Sequence, residues 1–216
     1  MLTLQRPFPS VQNNDLVSYG GCQTWSDREM IRKCGCGPVA VLDLLHYLTH
    51  EGDSLVPQPL AAYNEELRML CRRYLPLIPY AGINGFVLTI GVNRLFLDRG
   101  LPYRAFWAFS GTKLWDRIRE MLARDLPVIL SVGPNFPAIW RKERLRFYCR
   151  RADGCFAPAA STKSHYFTVT GIDEDWLQTS SWGRRYFIKR TEYDEFVRKH
   201  STYLFSNLLY IKTTDL

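Results

Sequence analysis

The chain has 216 residues, of which 46% are hydrophobic, and its formal net charge is +7 at pH 7. This length suits one domain with a sizeable core and requires no second one, so we expect a single domain over residues 1–216. No segment reaches the roughly 18 apolar residues of a membrane span, and the N-terminus lacks the apolar run of roughly 7 residues that an export signal needs. Six sparse cysteines argue against a disulfide-built fold. We therefore expect a soluble protein in the reducing cytoplasm.

The positive charge is concentrated in two segments, residues 141–151 and 184–190. Such segments attract acidic partners or nucleic acid by general electrostatics. No recognised nucleic-acid motif accompanies them, so we interpret them as solvated surface and expect no nucleic-acid partner.

The predicted elements of the first half are mainly helices. The first 35 residues are polar and turn-rich, and the stretch 18-SYGGCQTWSDRE-29 predicts irregular structure. Apolar residues at helical spacing then predict a helix from about Pro38 to Thr49, with the proline in the first turn, where its missing N–H costs nothing. Further amphipathic patterns predict helices over 60–74, 85–99 and 112–124.

The second half predicts mainly strands. β-Branched and aromatic runs bounded by turn signals predict strands over 127–133, 165–172, 176–181, 185–190 and 204–212, with a short helix over 191–200. The segment 133–163 is interpreted as a loop, either a surface insertion or a wall of the cleft. Helices segregated from an antiparallel sheet indicate an α+β fold, with a site in the cleft between them.

One cysteine stands where a helix begins. A thiol is a nucleophile as its thiolate, and a helix N-terminus or a nearby imidazolium lowers its pKa. Cys36 directly precedes the predicted helix between Gly35 and Gly37, which allow a sharp turn and leave the sulfur uncovered. Cys34 is two residues further from the helix, where the dipole is weaker, and is the second candidate for the nucleophile.

Only four histidines are available as a base for this thiol. His46 and His50 lie on the same helix, roughly 15 Å and 21 Å along its axis from Cys36. His200 follows a charged helix end, where a histidine commonly complements the dipole. His165 remains, at the start of a strand from which its side chain could enter the cleft.

Two blocks resemble a known superfamily. The stretch 35-GCGPVAVLDLLHYL-48 is similar to the Cys-Gly-Pro helix start of the papain-like bacterial cysteine peptidases called C39-like. The stretch 164-SHYFTVTGIDEDWLQTSSWG-183 is similar to their His strand and the strand that follows it. The resemblance implies a papain-like fold in which Cys36 attacks a carbonyl carbon and His165 moves the thiol proton. It also implies that Trp182 and Gly183 wall the site.

The resemblance also implies a third catalytic residue and an oxyanion residue. The family's Asn or Asp, which orients the histidine, falls on Ser180. Ser181 is the alternative if the alignment slips by one, and Asp173 or Asp175 if the turn folds back. The family's oxyanion Gln falls on a methionine, and Gln23 in the Gly-rich stretch 19–25 is the candidate instead.

These features predict a cysteine-dependent hydrolase, a peptidase that cleaves a peptide or amide bond through a thioester on Cys36. Two alternatives stay open: a papain-like pseudoenzyme that binds peptides, and an acyltransferase on the same fold. Zinc is disfavoured because Cys34 and Cys36 are spaced one residue tighter than the usual C-x₂-C. We expect a peptide or protein substrate and no cofactor or metal. The sequence does not specify the oligomeric state.

Overall fold

The structure is a computed structural model that describes residues 1–50 and 56–214. These residues form a mixed α+β fold with a large antiparallel sheet, as the sequence predicts. Within the described ranges, no helix has the length and apolar character needed to cross a membrane.

Six α-helices occur in the described part of the chain. They are α1 (Glu29–Cys34), α2 (Cys36–Thr49), α3 (Leu60–Arg73), α4 (Gly85–Asp98), α5 (Leu114–Ala123) and α6 (Arg190–His200). The last five confirm the predicted helices, with ends that differ by one or two residues. Helix α1 was not predicted, because fewer than two turns are too short to show a helical period.

The strands are short and mostly belong to one sheet. They are β1 (Leu2–Thr3), β2 (Val11–Asn13), β3 (Leu16–Val17), β4 (Gln58–Pro59), β5 (Tyr103–Trp107), β6 (Val128–Val132), β7 (Leu145–Arg150), β8 (Phe156–Thr162), β9 (His165–Ile172), β10 (Trp176–Ser181), β11 (Arg184–Lys189) and β12 (Leu208–Thr213). The main sheet has the order β5-β12-β6-β9-β10-β11-β7-β8, and β1 also pairs with β9. Strands β3, β2 and β4 form a small second sheet.

The prediction of a loop over 133–163 was wrong for residues 145–150 and 156–162, which form strands. Strands β7 and β8 form an antiparallel hairpin there that extends the sheet, with Leu145 opposite Thr162. Strand β8 lies at the sheet edge and contains Pro158, which an edge strand tolerates. The sequence 156-FAPAAST-162 lacks a clear alternation of apolar and polar residues, so its strand forms through tertiary pairing.

Helix α2 is the buried element that carries the candidate nucleophile. It packs against β9, and Val41, Leu42 and Leu44 along it are almost fully buried. Its first turn approaches the sheet closely at Gly37, where a Cβ would lie only 2.8 Å from Ile83 Cγ2 and 3.4 Å from Tyr166 Cδ2. The lack of a side chain at Gly37 therefore lets the helix start sit beside the start of β9.

Candidate active site

Cys36 is the first residue of α2 and is partly exposed. It follows Gly35, whose N–H ends α1 by donating to the Ile31 carbonyl at 2.7 Å. The first N–H groups of a helix have no acceptor within the helix and carry its positive dipole end. The thiol therefore sits among backbone donors, as the sequence predicts for this position.

His165 is the first residue of β9, with only 6% of its surface exposed. Its ring stacks on Trp182 with centroids 4.3 Å apart and planes 15° from parallel. Nε2 lies 2.7 Å from Ser181 Oγ. The contact with Ser181 engages Nε2, and Cys36 lines the same cavity as the ring.

A tight turn places the stacking tryptophan. Trp182 and Gly183 connect β10 to β11, and both have positive φ angles, 49° and 73°. Two-residue hairpins favour this left-handed geometry because it matches the twist of the strands. The Gly183 N–H donates to the Gly21 carbonyl at 2.9 Å, which ties the turn to the glycine-rich loop.

The structure corrects the role expected for Ser180. Ser180 Oγ donates to the Tyr19 carbonyl at 2.9 Å, and its neighbour Ser181 contacts the histidine instead. Adjacent residues of a strand point to opposite faces, so only one of the two serines can face the ring. Asp173 is engaged elsewhere, because its Oδ1 accepts from the Trp176 N–H at 2.8 Å in the β9–β10 turn.

Gln23, the candidate oxyanion residue, lies in the glycine-rich N-terminal loop. It begins a short 3₁₀ helix (Gln23–Trp25) and lines the same cavity as Cys36 and His165. Its Nε2 donates to the Arg32 carbonyl at 2.9 Å, which anchors the side chain. An amide nitrogen carries two N–H groups, so the second stays available to an oxyanion.

The protonation states differ from the expected thiolate and imidazolium. Burial raises the pKa of the Cys36 thiol above its ordinary value and outweighs the backbone N–H groups of Tyr166 and Gly37, which favour the thiolate. Burial also lowers the pKa of His165 to about 3. The Cys36 thiol and the His165 imidazole are therefore both neutral in the free protein at pH 7.

Two cavities meet at Cys36. The inner cavity, about 10 Å³ in volume, is lined by the site residues Cys36, His165, Ser180 and Ser181 and by Asp43 and Thr168. The outer cleft, about 330 Å³, also reaches Cys36 and is lined by the segment 78–85, by the strand residues Ser131 and Tyr166 and by Phe205 in the turn before β12. Cys36 thus borders both a cleft of substrate size and a small inner cavity.

Asp43 is a site residue that the sequence reasoning missed. It lies two turns along α2 from Cys36, with 2% of its surface exposed. Burial raises its pKa to about 6. A signal was present, because a carboxylate inside the apolar run 38-PVAVLDLLHYL-48 is rarely buried without a partner.

The remaining histidines and possible metal ligands do not enlarge this site. His46 Nε2 lies 2.9 Å from Glu66 Oε2, and His200 ends α6. Among the residues that the structure describes, no group of three or more His, Cys, Asp or Glu side chains is placed to hold a metal ion.

No protein-family model matches the chain, and a comparison with the curated proteins returns no match. The site is therefore interpreted from its own geometry and from the two motif blocks.

Proposed function

We propose that this protein is a cysteine-dependent hydrolase that cleaves a peptide or amide bond through a thioester on Cys36, with His165 as general base. The observation that carries the proposal is the shared cavity of the two residues: Cys36 begins a helix, and Ser181 holds Nε2 of His165. A nucleophile, a base and a group that orients the base are the parts such chemistry needs.

The protonation states favour proton transfer during attack rather than a preformed ion pair. Because the resting imidazole is neutral, His165 Nδ1 can accept the thiol proton as the sulfur bonds to the carbonyl carbon. The Cys36 N–H and the Gln23 amide face the developing oxyanion. His165 then protonates the leaving amine, and water hydrolyses the thioester, which regenerates the thiol.

The outer cleft supports a peptide with apolar side chains as substrate. Ile78, Tyr80 and Phe205 line it, and the first two are exposed. Lys33 also lines the cleft and supplies a positive charge. We therefore propose that aromatic or acidic residues flank the scissile bond.

A papain-like, C39-like architecture over one domain, residues 1–216, accounts for this arrangement. In support, the cysteine helix α2 packs against the histidine strand β9 of an antiparallel sheet. All six cysteines lie in the described residues and are free, which fits the reducing cytoplasm.

The proposal is tested with a diverse peptide pool and mass spectrometry of the products. The parent protein should release defined fragments, and the Cys36→Ala and His165→Ala variants should release none. Cys34→Ala is the matched control, since this neighbouring buried cysteine lines the cleft but does not begin α2. Cleavage that survives in Cys36→Ala or disappears in Cys34→Ala would contradict the assignment of the nucleophile.

A second candidate function, a peptide-binding pseudoenzyme, is favoured by one observation. The raised pKa of Cys36 and the lowered pKa of His165 leave the resting pair uncharged, unlike an activated thiol. In the peptide assay this function predicts peptides that are retained in native mass spectra and never cleaved. It also predicts retention that is unchanged in Cys36→Ala.

A further inference from the structure

A groove lies between the start of helix α5 and the edge strand β5, outside the candidate active site. Its volume is about 290 Å³, close to the lower end of the range for small-molecule pockets. Strand β12, which pairs with β5, contributes Leu208 and Tyr210 to its lining. Neither Cys36 nor His165 lines it. The proposed cleavage reaction therefore makes no use of this groove.

Two aromatic rings lie side by side in the groove. Phe106 of β5 and Tyr210 of β12 are directly opposite each other in the ladder, so their side chains share one face of the sheet. The ring centroids are 5.5 Å apart, and the planes are 21° from parallel. Tyr210 is buried, whereas Phe106 is partly exposed. Phe106 therefore offers a ring on which a planar ligand can stack.

Four cationic side chains surround these rings. The guanidinium of Arg117 on α5 lies 4.2 Å from the centre of the Tyr210 ring. Arg104 and Lys212 lie 5.6 Å and 5.7 Å from the centre of the Phe106 ring. The fourth cation, Lys113, lines the groove beside the start of α5, as Arg117 does. The groove thus combines an accessible aromatic surface with a concentration of positive charge.

The positive charge of the groove is not neutralised by the protein. Arg104 and Lys212 are directly opposite each other on β5 and β12, a position in which like charges destabilise the pair of strands. Within residues 1–50 and 56–214, no salt bridge includes any of the four cations. Asp116, the acidic residue in the first turn of α5, does not line the groove. The charge of the groove is therefore complementary to that of an anion.

We propose that this groove binds a nucleoside phosphate, with the base stacked on Phe106 and the phosphate held by Lys113 and Arg117. Bases stack on aromatic side chains whatever their identity, because every base has a π face. A phosphate monoester carries almost two negative charges at pH 7, which suits several cations better than the single charge of a carboxylate does. Arginine also binds phosphate through two parallel hydrogen bonds. The inference goes beyond the proposed function, since it assigns a second binding site.

The test is isothermal titration calorimetry with adenosine monophosphate as the probe. We expect saturable binding of one molecule per chain. Adenosine lacks the phosphate and inorganic phosphate lacks the ring, so each should bind at least about tenfold more weakly than the nucleotide. No binding of the nucleotide overturns the proposal. Inorganic phosphate that binds as tightly as the nucleotide also overturns it, because the groove would then hold an anion without its base.

Three variants locate the binding site. Lys113→Gln removes an exposed charge that lines the groove, and the affinity for the nucleotide should fall about tenfold. Phe106→Leu keeps an apolar side chain but removes the ring, and the affinity should fall at least about fivefold. Arg151→Gln is the matched control, because this exposed cation lies in the turn between β7 and β8. It should bind the nucleotide as the parent does.

The control also separates a site from general attraction by the positively charged chain. An equal loss of affinity in Arg151→Gln and Lys113→Gln would show that binding follows the net charge alone, which overturns the proposal. Cys36→Ala should bind the nucleotide as the parent does, because Cys36 does not line the groove. Failure of peptide cleavage would therefore count against the proposed function alone, and failure of nucleotide binding against this inference alone.

Discussion

The reactivity of Cys36 should report the protonation of the resting site. Burial raises the pKa of this thiol and lowers that of His165 to about 3, so no imidazolium stabilises a thiolate in the free protein. An ordinary thiol with a pKa of about 8.5 is only about 3% thiolate at pH 7, and burial makes the fraction at Cys36 smaller still. Since the thiolate is the form that alkylates, the labelling rate should follow this fraction.

The pH dependence of the labelling rate distinguishes a neutral thiol and imidazole from a preformed thiolate–imidazolium pair. Below the pKa of the thiol, the thiolate fraction rises tenfold per pH unit, so labelling of Cys36 should be about 100-fold faster at pH 8 than at pH 6. A preformed ion pair would already be thiolate at pH 6, and its rate would be nearly constant over the same range.

The assay is iodoacetamide labelling between pH 6 and pH 10, with Cys36 located by peptide mass spectrometry. Cys155, an exposed thiol in the same chain, is the internal reference. The Cys36 profile should stay steep and be nearly the same in His165→Ala. A rate that is constant from pH 6 to pH 8 and collapses in His165→Ala would refute the reasoning from burial and restore the ion pair.

Two further predictions concern the surroundings of the pair. Ser181→Ala removes the contact with His165 Nε2 and should lower kcat for a cleaved peptide by at least about tenfold with little change in KM. Ser180→Ala should lower kcat less, because Ser180 bonds to the Tyr19 carbonyl. A larger loss of kcat in Ser180→Ala would show that Ser180 is the residue that orients His165. Burial raises the pKa of Asp43 in the folded protein to about 6, although the Gly21 N–H, the Tyr63 hydroxyl and the charge of His46 on α2 each act to lower it. The stability that protonated Asp43 contributes is therefore complete below about pH 4 and is lost as the pH rises through 6. Between pH 4 and pH 7 the free energy of unfolding of the parent, measured in urea, should fall by up to about 3 kcal/mol relative to that of Asp43→Asn. Parallel pH profiles of the two proteins would contradict the raised pKa.

Much of the fold follows from local patterns in the sequence. Five helices and four strands were predicted with bounds right to within two residues, because each carries a continuous apolar period or a β-branched run between turn signals. The fifth strand, predicted over 204–212, begins only at Leu208, because the preceding residues form a turn. The candidate pair was also accessible. A cysteine between glycines at a helix start and a histidine at a strand start are local features, and the other three histidines were set aside by their positions.

The tertiary structure decided what depends on contacts between distant segments. Whether Ser180 or Ser181 faces His165 depends on the register of β10, since a shift of one residue exchanges the two faces of a strand. Asp43 joins the site only because the loop at Gly21 folds over α2. The protonation of Cys36 and His165 is set by burial, which comes from the whole surrounding core rather than from neighbouring residues. The sequence alone therefore indicated the candidate nucleophile and base, and only the packed fold determined their charges and their hydrogen-bond partners.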